Sequence, residues 1–215
     1  MKIQTSTPKI NEDQALKVFK RREKSSKILL KTELLYAPFW LMTYRYQTVE
    51  DSKRRQTKSY RRILEHLTKN TGPTQIIEKR VSLVADAVLG QIAFLKGGDA
   101  SRMVDTEIDV KEEDVIRISL PISRVVGKAE SELKKRLLST YMWKTKGFNL
   151  QLESSQVLYV PFWVGYYMVG QDKRIQIEVM NALSGEVGDS WHRGIIEAGI
   201  LRMYQGMIEA HPKNI

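Results

Sequence analysis

The sequence predicts an α+β fold made of two αβββ repeats with antiparallel sheets, related by a pseudo-twofold axis. A basic helical insertion and a C-terminal helix complete it. Three observations predict this fold: an internal repeat, a helix-start pattern ahead of each copy, and strand patterns within each copy. The 215 residues can bury a core, and 42% hydrophobic with 28% charged residues is typical of a globular chain. We expect one compact unit.

The internal repeat consists of two blocks that recur in the same order. The segment LYAPFW at 35–40 recurs as LYVPFW at 158–163, an offset of 123, and Tyr44 recurs as Tyr167. Further on, DAVLGQI at 86–92 recurs as NALSGEV at 181–187, an offset of 95. Because 123 exceeds 95 by 28, the first copy is predicted to carry an insertion of that length at about 49–76.

A helix is predicted ahead of each copy. Asn11 is expected to cap the first helix, with Gln14 completing a capping box and Ile10 packing on Ala15. The second helix opens after Pro121 and is longer. Its single apolar stripe comprises Val126, Ala129, Leu133, Leu137 and Tyr141.

Three strands are predicted to follow each helix. The first runs into the Tyr-x-Pro-Phe-Trp block, where Pro38 and Pro161 should mark a bulge, an edge or a strand break, because proline cannot donate to a sheet. In the first copy, the second strand alternates polar and apolar residues at 41–47, which predicts one solvent-exposed face. In the second copy, the corresponding residues 164–168 are apolar on both faces. The third ends in an Asx-Ala-x-x-Gly turn, where Gly90 and Gly185 can adopt positive φ.

The C-terminal segment is predicted to form a helix that packs across the second repeat or joins a dimer. Its apolar stripe comprises Ile195, Ile196, Gly199, Ile200, Met203, Tyr204, Met207 and Ile208. Between the copies, Asp105, Glu107 and Asp109 alternate with Val104, Thr106, Ile108 and Val110, which predicts a half-buried strand with an acidic outer face. Ile116, Ile118 and Leu120 suggest another strand before Pro121. The predicted boundaries are 1–97 for repeat 1, 98–120 for connecting strands, 121–190 for repeat 2 and 191–215 for the C-terminal helix.

The repeats resemble the PepSY and cystatin-like α+β families. PepSY domains end in a motif of the form Asp-Ala-x-Thr-Gly-Glu-Val, and NALSGEV at 181–187 is similar to it, as is 86–92 to a lesser degree. The resemblance covers about two thirds of the chain. It implies a helix packed on an antiparallel sheet and a regulatory or inhibitory role. It carries over no catalytic residue, because the motif supplies none.

Positive charge is concentrated in the first part of the chain. Residues 1–80 hold 19 Lys/Arg and 8 Asp/Glu, a net +11, whereas 81–215 hold 16 and 17, a net −1. The insertion carries the predicted binding residues, which are Lys53, Arg54, Arg55, Lys58, Arg61, Arg62 and Lys69. We predict that this basic half binds an acidic partner, most readily a protein. Nucleic acid is the alternative, since such cations neutralise phosphates, and a merely solubilising helix is the third interpretation.

The composition limits the chemistry of any site. The chain has no cysteine, which excludes disulfides, thiolate metal sites and cysteine nucleophiles. It has three histidines, and no catalytic, metal-ligating or cofactor-binding residue is predicted. The aromatic blocks at 36–46 and 159–167 are interpreted as core. We therefore favour a non-enzymatic interaction or regulatory module, with an enzyme whose cleft lies between the repeats as a second alternative.

Location and assembly follow from the same patterns. The most apolar stretch, 157–170, has 14 residues and falls short of the roughly 20 that a spanning helix needs. No secretory signal is recognised at 1–8, and the missing cysteine fits the cytoplasm, so we expect a cytoplasmic protein. The acidic strand at 105–109 could meet the basic face of a second chain, which makes a homodimer a further alternative.

Overall fold

The described residues form an α+β fold with a curled seven-stranded sheet and three helices. The computed structural model describes residues 1–51, 74–95, 106–141, 149–188 and 190–210. In chain order the elements are β1 (Lys2–Thr5), α1 (Glu12–Lys20), β2 (Lys27–Asp51), β3 (Thr74–Asp86), β4 (Ile92–Phe94), β5 (Thr106–Asp109), a 3-10 turn (Glu112–Asp114), α2 (Ile122–Tyr141), β6 (Asn149–Val169), β7 (Arg174–Asn181) and α3 (Ser190–Ala210). The strand order is β4-β3-β2-β6-β1-β5, and β7 also pairs with β6.

The two long strands β2 and β6 pair antiparallel at the centre of the sheet. The ladder runs from Lys27 opposite Val169 to Gln47 opposite Asn149. Within it Ala37 pairs directly with Val160, and these are residues that the offset of 123 relates. The neighbouring pairs are related in the same way, since Tyr36 pairs with Pro161 and Pro38 pairs with Tyr159.

The two prolines lie inside continuous strands, so the prediction of two separate strands around each block is wrong. The carbonyl of Pro38 accepts from the Ala87 N–H at 2.9 Å, and that of Pro161 accepts from the Ala182 N–H at 3.0 Å. The nitrogen of each proline faces the same edge as its carbonyl, where the neighbouring β3 or β7 has already ended. The missing N–H therefore costs no ladder hydrogen bond, and the strand continues.

Helices cover both faces of the sheet. On one face α1 packs Ala15 and Phe19 against Trp163 and Tyr167. On the same face α2 packs onto β2, with buried positions that comprise Val125, Ala129, Leu133 and Leu137. On the opposite face α3 packs Ile195 and Ile196 over the centre of β2 and β6. The predicted covering helix is thus confirmed, and it packs on both β2 and β6.

The predicted capping and turn chemistry is confirmed. The Asn11 side chain accepts from the Gln14 N–H at 2.9 Å while the Gln14 side chain accepts from the Asn11 N–H at 3.0 Å. Gly90 has φ 70° and Gly185 has φ 74°, the conformation that favours glycine. Gly90 lies in the turn that follows β3, and Gly185 lies in the turn that follows β7.

The segment 116–120 is not a strand, which corrects a second prediction. Val115 makes a single parallel bridge to Tyr36, after which the Ser119 and Leu120 N–H groups both donate to the Ala87 carbonyl. Ile118 is 41% exposed. The alternation of Ile116, Ile118 and Leu120 resembles a strand in sequence, but the chain turns here to enter α2.

Candidate interaction surface

The seven predicted binding residues, Lys53 to Lys69, lie outside the described residues. The two ends of the predicted insertion at 49–76 are described, and they extend β2 and β3 rather than forming helix. Their ladder ends at the pair Asp51 and Thr74. The pairing of β2 with β3 therefore extends further than the sequence suggested, and the rest of the predicted insertion, 52–73, lies outside the described residues.

A second basic surface lies at the opposite end of β2. Lys27 pairs with Val169, and Val169 pairs with Arg174, so the start of β2 and the β6–β7 turn share one end of the sheet. The last turn of α1 and the loop after it reach the same end. We call this surface the basic end; it comprises Lys17, Lys20, Arg21, Arg22, Lys24, Lys27, Lys173 and Arg174.

Local structure explains why cations gather at the basic end. Lys17 and Lys20 lie in the last turn of α1 and Arg21 is its C-cap, where positive charge interacts favourably with the helix dipole. The backbones of Lys24 and Lys27 exchange hydrogen bonds of 3.0 and 2.9 Å, which closes the turn into β2. The surface is thus built on defined backbone positions.

Three of these cations serve the fold. The Glu178 carboxylate binds Arg22 at 3.2 Å and also binds Lys27, whose Nζ lies 4.1 Å from the Tyr167 ring centroid. Arg174 pairs with Asp172 at 3.3 Å. The remaining cations have no ion-pair partner among the described residues; they are Lys17, Lys20, Arg21, Lys24 and Lys173. These five are the groups that can meet an external anion.

A compact polar cluster lies beside the basic end, under α3. The Tyr166 hydroxyl donates to Glu33, and Glu33 also pairs with Lys31. Burial, together with the Glu33 hydrogen bond, raises the pKa of Tyr166, and the same carboxylate raises the pKa of Lys31. Tyr204 on α3 interacts electrostatically with both groups. Tyr204 is 62% exposed, so the hydrogen-bonded part of the cluster is Tyr166, Glu33 and Lys31, all on the sheet.

The region around Tyr36 on β2 and Tyr159 on β6 is packed. Tyr36 and Tyr159 are 6% and 8% exposed, and they contact Ile3 and Val115. Burial raises the pKa of both tyrosines. These side chains form a core cluster between β1, β2 and β6.

The acidic strand predicted at 104–110 is confirmed where it is described, as β5. Glu107 pairs with Lys2 at 3.4 Å, and Asp109 lies 3.9 Å from the N-terminal ammonium. These carboxylates therefore have partners on the neighbouring β1. Over the described ranges, no group of three or more histidine and acidic side chains is placed to hold a metal ion. Likewise no described helix is long and apolar enough to cross a membrane.

The sequence analysis predicted a binding surface on the insertion but did not predict the basic end. The signal was present, because residues 17–31 contain seven Lys/Arg and one Asp/Glu. These cations are spread over a helix end and a loop, and the third contributing segment, 170–173, is distant in sequence. Only the pairing of β2, β6 and β7 brings them together.

Comparison with protein-family models, curated proteins and solved structures finds no match for this chain.

Proposed function

We propose that this protein is a non-enzymatic interaction or regulatory module whose basic surfaces bind an acidic partner, in first place a protein. The observation that carries the proposal is the set of five cations without ion pairs at the basic end, next to cations that the fold itself uses. An isolated cation on a solvated surface contributes little to stability, so a cluster of them is better explained by recognition. In the sequence, the predicted binding residues from Lys53 to Lys69 add a second concentration of positive charge.

The architecture we propose beneath this function is the two-repeat, pseudo-twofold arrangement. Matching hydrogen bonds support it. The Trp40 indole donates to the Leu120 carbonyl at 3.0 Å, just before α2, and the Trp163 indole donates to the Ile10 carbonyl at 2.8 Å, just before α1. Likewise Ala87 accepts from 119 and 120 as Ala182 accepts from 9 and 10. The PepSY-like and cystatin-like resemblance stays part of this proposal.

The length difference between the copies supports the same arrangement. The β2–β3 ladder pairs thirteen residues and the β6–β7 ladder pairs eight, so each strand of the first hairpin gains five. The first connection, 52–73, has 22 residues and the second, 170–173, has four. The longer paired strands and the longer connection together account for the 28 residues by which the first copy exceeds the second. Under the pseudo-twofold, the basic insertion and the 170–173 turn of the basic end occupy equivalent positions.

Binding to defined anions tests the function. The probes are a fluorescein-labelled 20-residue polyglutamate and labelled single- and double-stranded DNA and RNA, each titrated by anisotropy across salt. One variant changes Lys20, Arg21, Lys24 and Lys173 to Ser, and a second changes the six insertion residues from Lys53 to Arg62 to Ser. The matched control also removes four charges, all of them ion-paired; it changes Lys2, Lys111, Lys134 and Lys135 to Ser.

We expect polyglutamate to bind with an affinity that falls with salt and falls further in either basic variant, but not in the control. Stronger binding of nucleic acid than polyglutamate, with a shallower salt slope in the insertion variant, would establish the nucleic-acid alternative instead. If the control and the basic variants lose affinity equally, net charge alone explains the binding and a defined binding surface is rejected. The cytoplasmic placement, proposed from the missing cysteine, is checked by fractionation of the host cells.

A further inference from the structure

The strand β7 leaves one edge of the sheet open. The Val179 carbonyl accepts from the Gly188 N–H at 2.6 Å, and the Asn181 N–H donates across the following turn at 2.9 Å, so both residues direct their backbone groups away from β6. Because a strand has a two-residue period, Ile175 and Ile177 direct theirs the same way. Over the described ranges, nothing binds the outward N–H and C=O groups of these two isoleucines. An added strand can therefore pair with them.

An open apolar row ends at this edge. Ile28, Met168 and Ile175 are register partners on β2, β6 and β7, so their side chains share one face of the sheet. Ile28 is 50% exposed and Ile175 is 60% exposed. Ile177 lies on the same face, but it is 7% exposed and belongs to the core under α3. The edge therefore presents one uncovered and one covered isoleucine side by side.

The sequence of the open edge is complementary to itself. Residues 174–178 read Arg-Ile-Gln-Ile-Glu. When two copies of this segment run antiparallel about a twofold axis at Gln176, Ile175 of each copy lies opposite Ile177 of the other, and Arg174 lies opposite Glu178. Pairs of β-branched side chains and pairs of opposite charge are both favourable across strands. A twofold interface requires this kind of self-complementarity.

We propose that a second copy of this chain pairs with this edge, so that two antiparallel β7 strands join two sheets into one. The proposal goes beyond the binding of an acidic partner and does not depend on it. Ile175 and Ile177 of opposite copies form hydrogen-bonded pairs, which use the outward N–H and C=O groups of both strands. Their side chains continue the open apolar row of one copy into the covered row of the other. The interface therefore covers Ile175.

The free length of the edge matches the strand that is added. Gly188 binds the Val179 carbonyl, so the free edge stops after Glu178. The added β7 begins at its own Arg174, which lies opposite Glu178 in the proposed register. Beyond that point its turn at 170–173 leads back to its own β6. The added strand thus ends where the occupied part of the edge begins.

The charged pairs lie on the α1 face of the interface. Glu178 binds Arg22 and Lys27, and a carboxylate has lone pairs for a further donor from Arg174 of the second copy. The present partner of Arg174 is Asp172, and both side chains of that pair are exposed, so it contributes little and leaves Arg174 able to turn. Arg174 therefore meets a carboxylate across the interface.

Neighbouring registers are less favourable. An axis at Ile175 would place Glu178 opposite Asp172 of the second copy, and like charges directly opposite are destabilising. An axis at Ile177 would place Ile175 opposite Val179, whose outward side Gly188 already occupies. A shift by one residue would turn the isoleucines of the two copies to opposite faces. The register centred on Gln176 avoids each of these conflicts.

The unpaired cations of the basic end stay apart in this dimer. The two Lys173 residues lie six positions apart along the paired strands, about 20 Å, which exceeds the screening length of about 8 Å at physiological salt. Lys24 lies beyond β2, on the opposite side of β6 from the interface. Each copy thus keeps its own basic end accessible. This interface also differs from the predicted contact through the acidic strand, because Glu107 of β5 already pairs with Lys2.

Disulfide crosslinking tests the pairing and its register. The chain has no cysteine, so a single introduced cysteine reports on its own position. The two copies of position 176 form a pair without hydrogen bonds, with Cα atoms about 4.5 Å apart, a distance that a disulfide spans. We expect Gln176→Cys to crosslink on the order of tenfold faster under mild oxidation than Gln171→Cys, the control in the exposed turn. Ile175→Cys should crosslink slowly, because its copies lie diagonally.

Sedimentation equilibrium tests the dimer itself. The wild-type mass should rise from that of one chain towards that of two between about 5 and 500 μM, since small interfaces associate weakly. Ile175→Pro should stay monomeric, because proline removes an outward N–H that the single copy does not use. Ile28→Ser, the matched control, removes a half-exposed isoleucine of the same row away from the edge and should associate like the wild type. Circular dichroism checks that each variant folds.

Amide exchange in the wild-type protein gives a measurement without substitution. The Ile175 and Ile177 amides should exchange more slowly as the protein concentration rises, because the second copy binds both.

Several outcomes overturn the proposal. A wild-type chain that stays monomeric, or Ile175→Pro associating as strongly as the wild type, rejects this edge as a dimer interface. Equal crosslinking of Gln176→Cys and Gln171→Cys rejects the pairing, and faster crosslinking of Ile175→Cys rejects the register. If Ile175→Pro does not fold, the cysteine variants and the amide exchange decide. Polyglutamate binding should be unchanged in Ile175→Pro, so the dimer and the acidic-partner function fail separately.

Discussion

The turns at Asp86 and Asn181 provide the sharpest test of how the fold is stabilised. Asp86 is fully buried, and its carboxylate accepts from four backbone N–H groups, at 88, 89, 90 and 91. The matching Asn181 accepts from two, at 183 and 184, over distances of 2.8 and 3.3 Å. Substitution to alanine at each position removes the acceptor from the same turn in a different environment.

The two substitutions are expected to lower the free energy of unfolding by different amounts. In Asp86→Ala the Val88 N–H is left buried without an acceptor, whereas Gly90 keeps its bond to the Asp86 backbone carbonyl at 3.1 Å. One buried orphan and two lost charge-assisted bonds destabilise the fold by about 3–5 kcal/mol. Asn181→Ala loses two neutral bonds in a partly exposed turn, which costs about 1–2 kcal/mol.

Equilibrium urea unfolding, followed by far-UV circular dichroism, measures both values. Asp86→Asn is a useful intermediate. Its amide oxygen can still accept hydrogen bonds, but its amide nitrogen is a donor that faces the Gln91 N–H. We therefore expect its loss in free energy of unfolding to lie between those of the two alanine variants. If Asp86→Ala costs no more than Asn181→Ala, the buried carboxylate does not hold the turn, and the reasoning from its four bonds is refuted.

Further predictions concern packing and pH. Gly199→Ala should destabilise the protein by about 1–3 kcal/mol, because its Cβ would lie 2.5 Å from Ile116 Cγ2; unchanged urea unfolding would contradict this. Gly127→Ala in α2 meets no atom within 4 Å and should stabilise the protein by about 0.5–1 kcal/mol in the same assay. Burial raises the pKa of Tyr44 to about 12, above its ordinary value near 10, so the unfolded chain releases this proton first. The associated stability is constant below pH 10 and falls by about 3 kcal/mol as the pH rises to 12, and Tyr44→Phe should lessen that slope. Equal slopes in the two proteins would show that Tyr44 ionises as readily in the folded chain.

Local chemistry made part of the fold predictable. The capping box at Asn11 and Gln14 and the positive φ at Gly90 and Gly185 depend on a few neighbouring residues, so their sequence signals suffice. The covering role of the C-terminal helix followed from an apolar strand face at 164–168 that had to be buried. In each case, the feature that requires a partner and the residues that supply it can both be identified from the sequence.

Long-range pairing decided the features that sequence reasoning missed. Pro38 reads as a strand break, but its nitrogen faces an edge where β3 has ended, a fact that depends on residues about fifty positions away. Ile116 and Ile118 alternate like a strand, yet after the Val115 bridge the chain bonds to Ala87 instead of a strand. The basic end is assembled from 17–24 and 170–174 by β-sheet register alone.

The lengths of the elements explain why the basic end remains open. The helix α3 has 21 residues and reaches about 30 Å, whereas β2 has 25 residues and runs for about 80 Å along its path. One helix cannot cover that face from end to end. At the far end the uncovered face is polar and satisfied internally, since Arg80 binds Glu153 at 2.7 and 2.8 Å. At the near end the uncovered row is Ile28, Met168 and Ile175. A face that is satisfied by its own ion pairs gains little from a partner, whereas a half-exposed apolar row gains from each apolar side chain that covers it. Anion binding at the adjacent basic end should stabilise the start of β2, and hydrogen exchange at 27–31 should slow when polyglutamate is added; unchanged exchange there would contradict this reasoning.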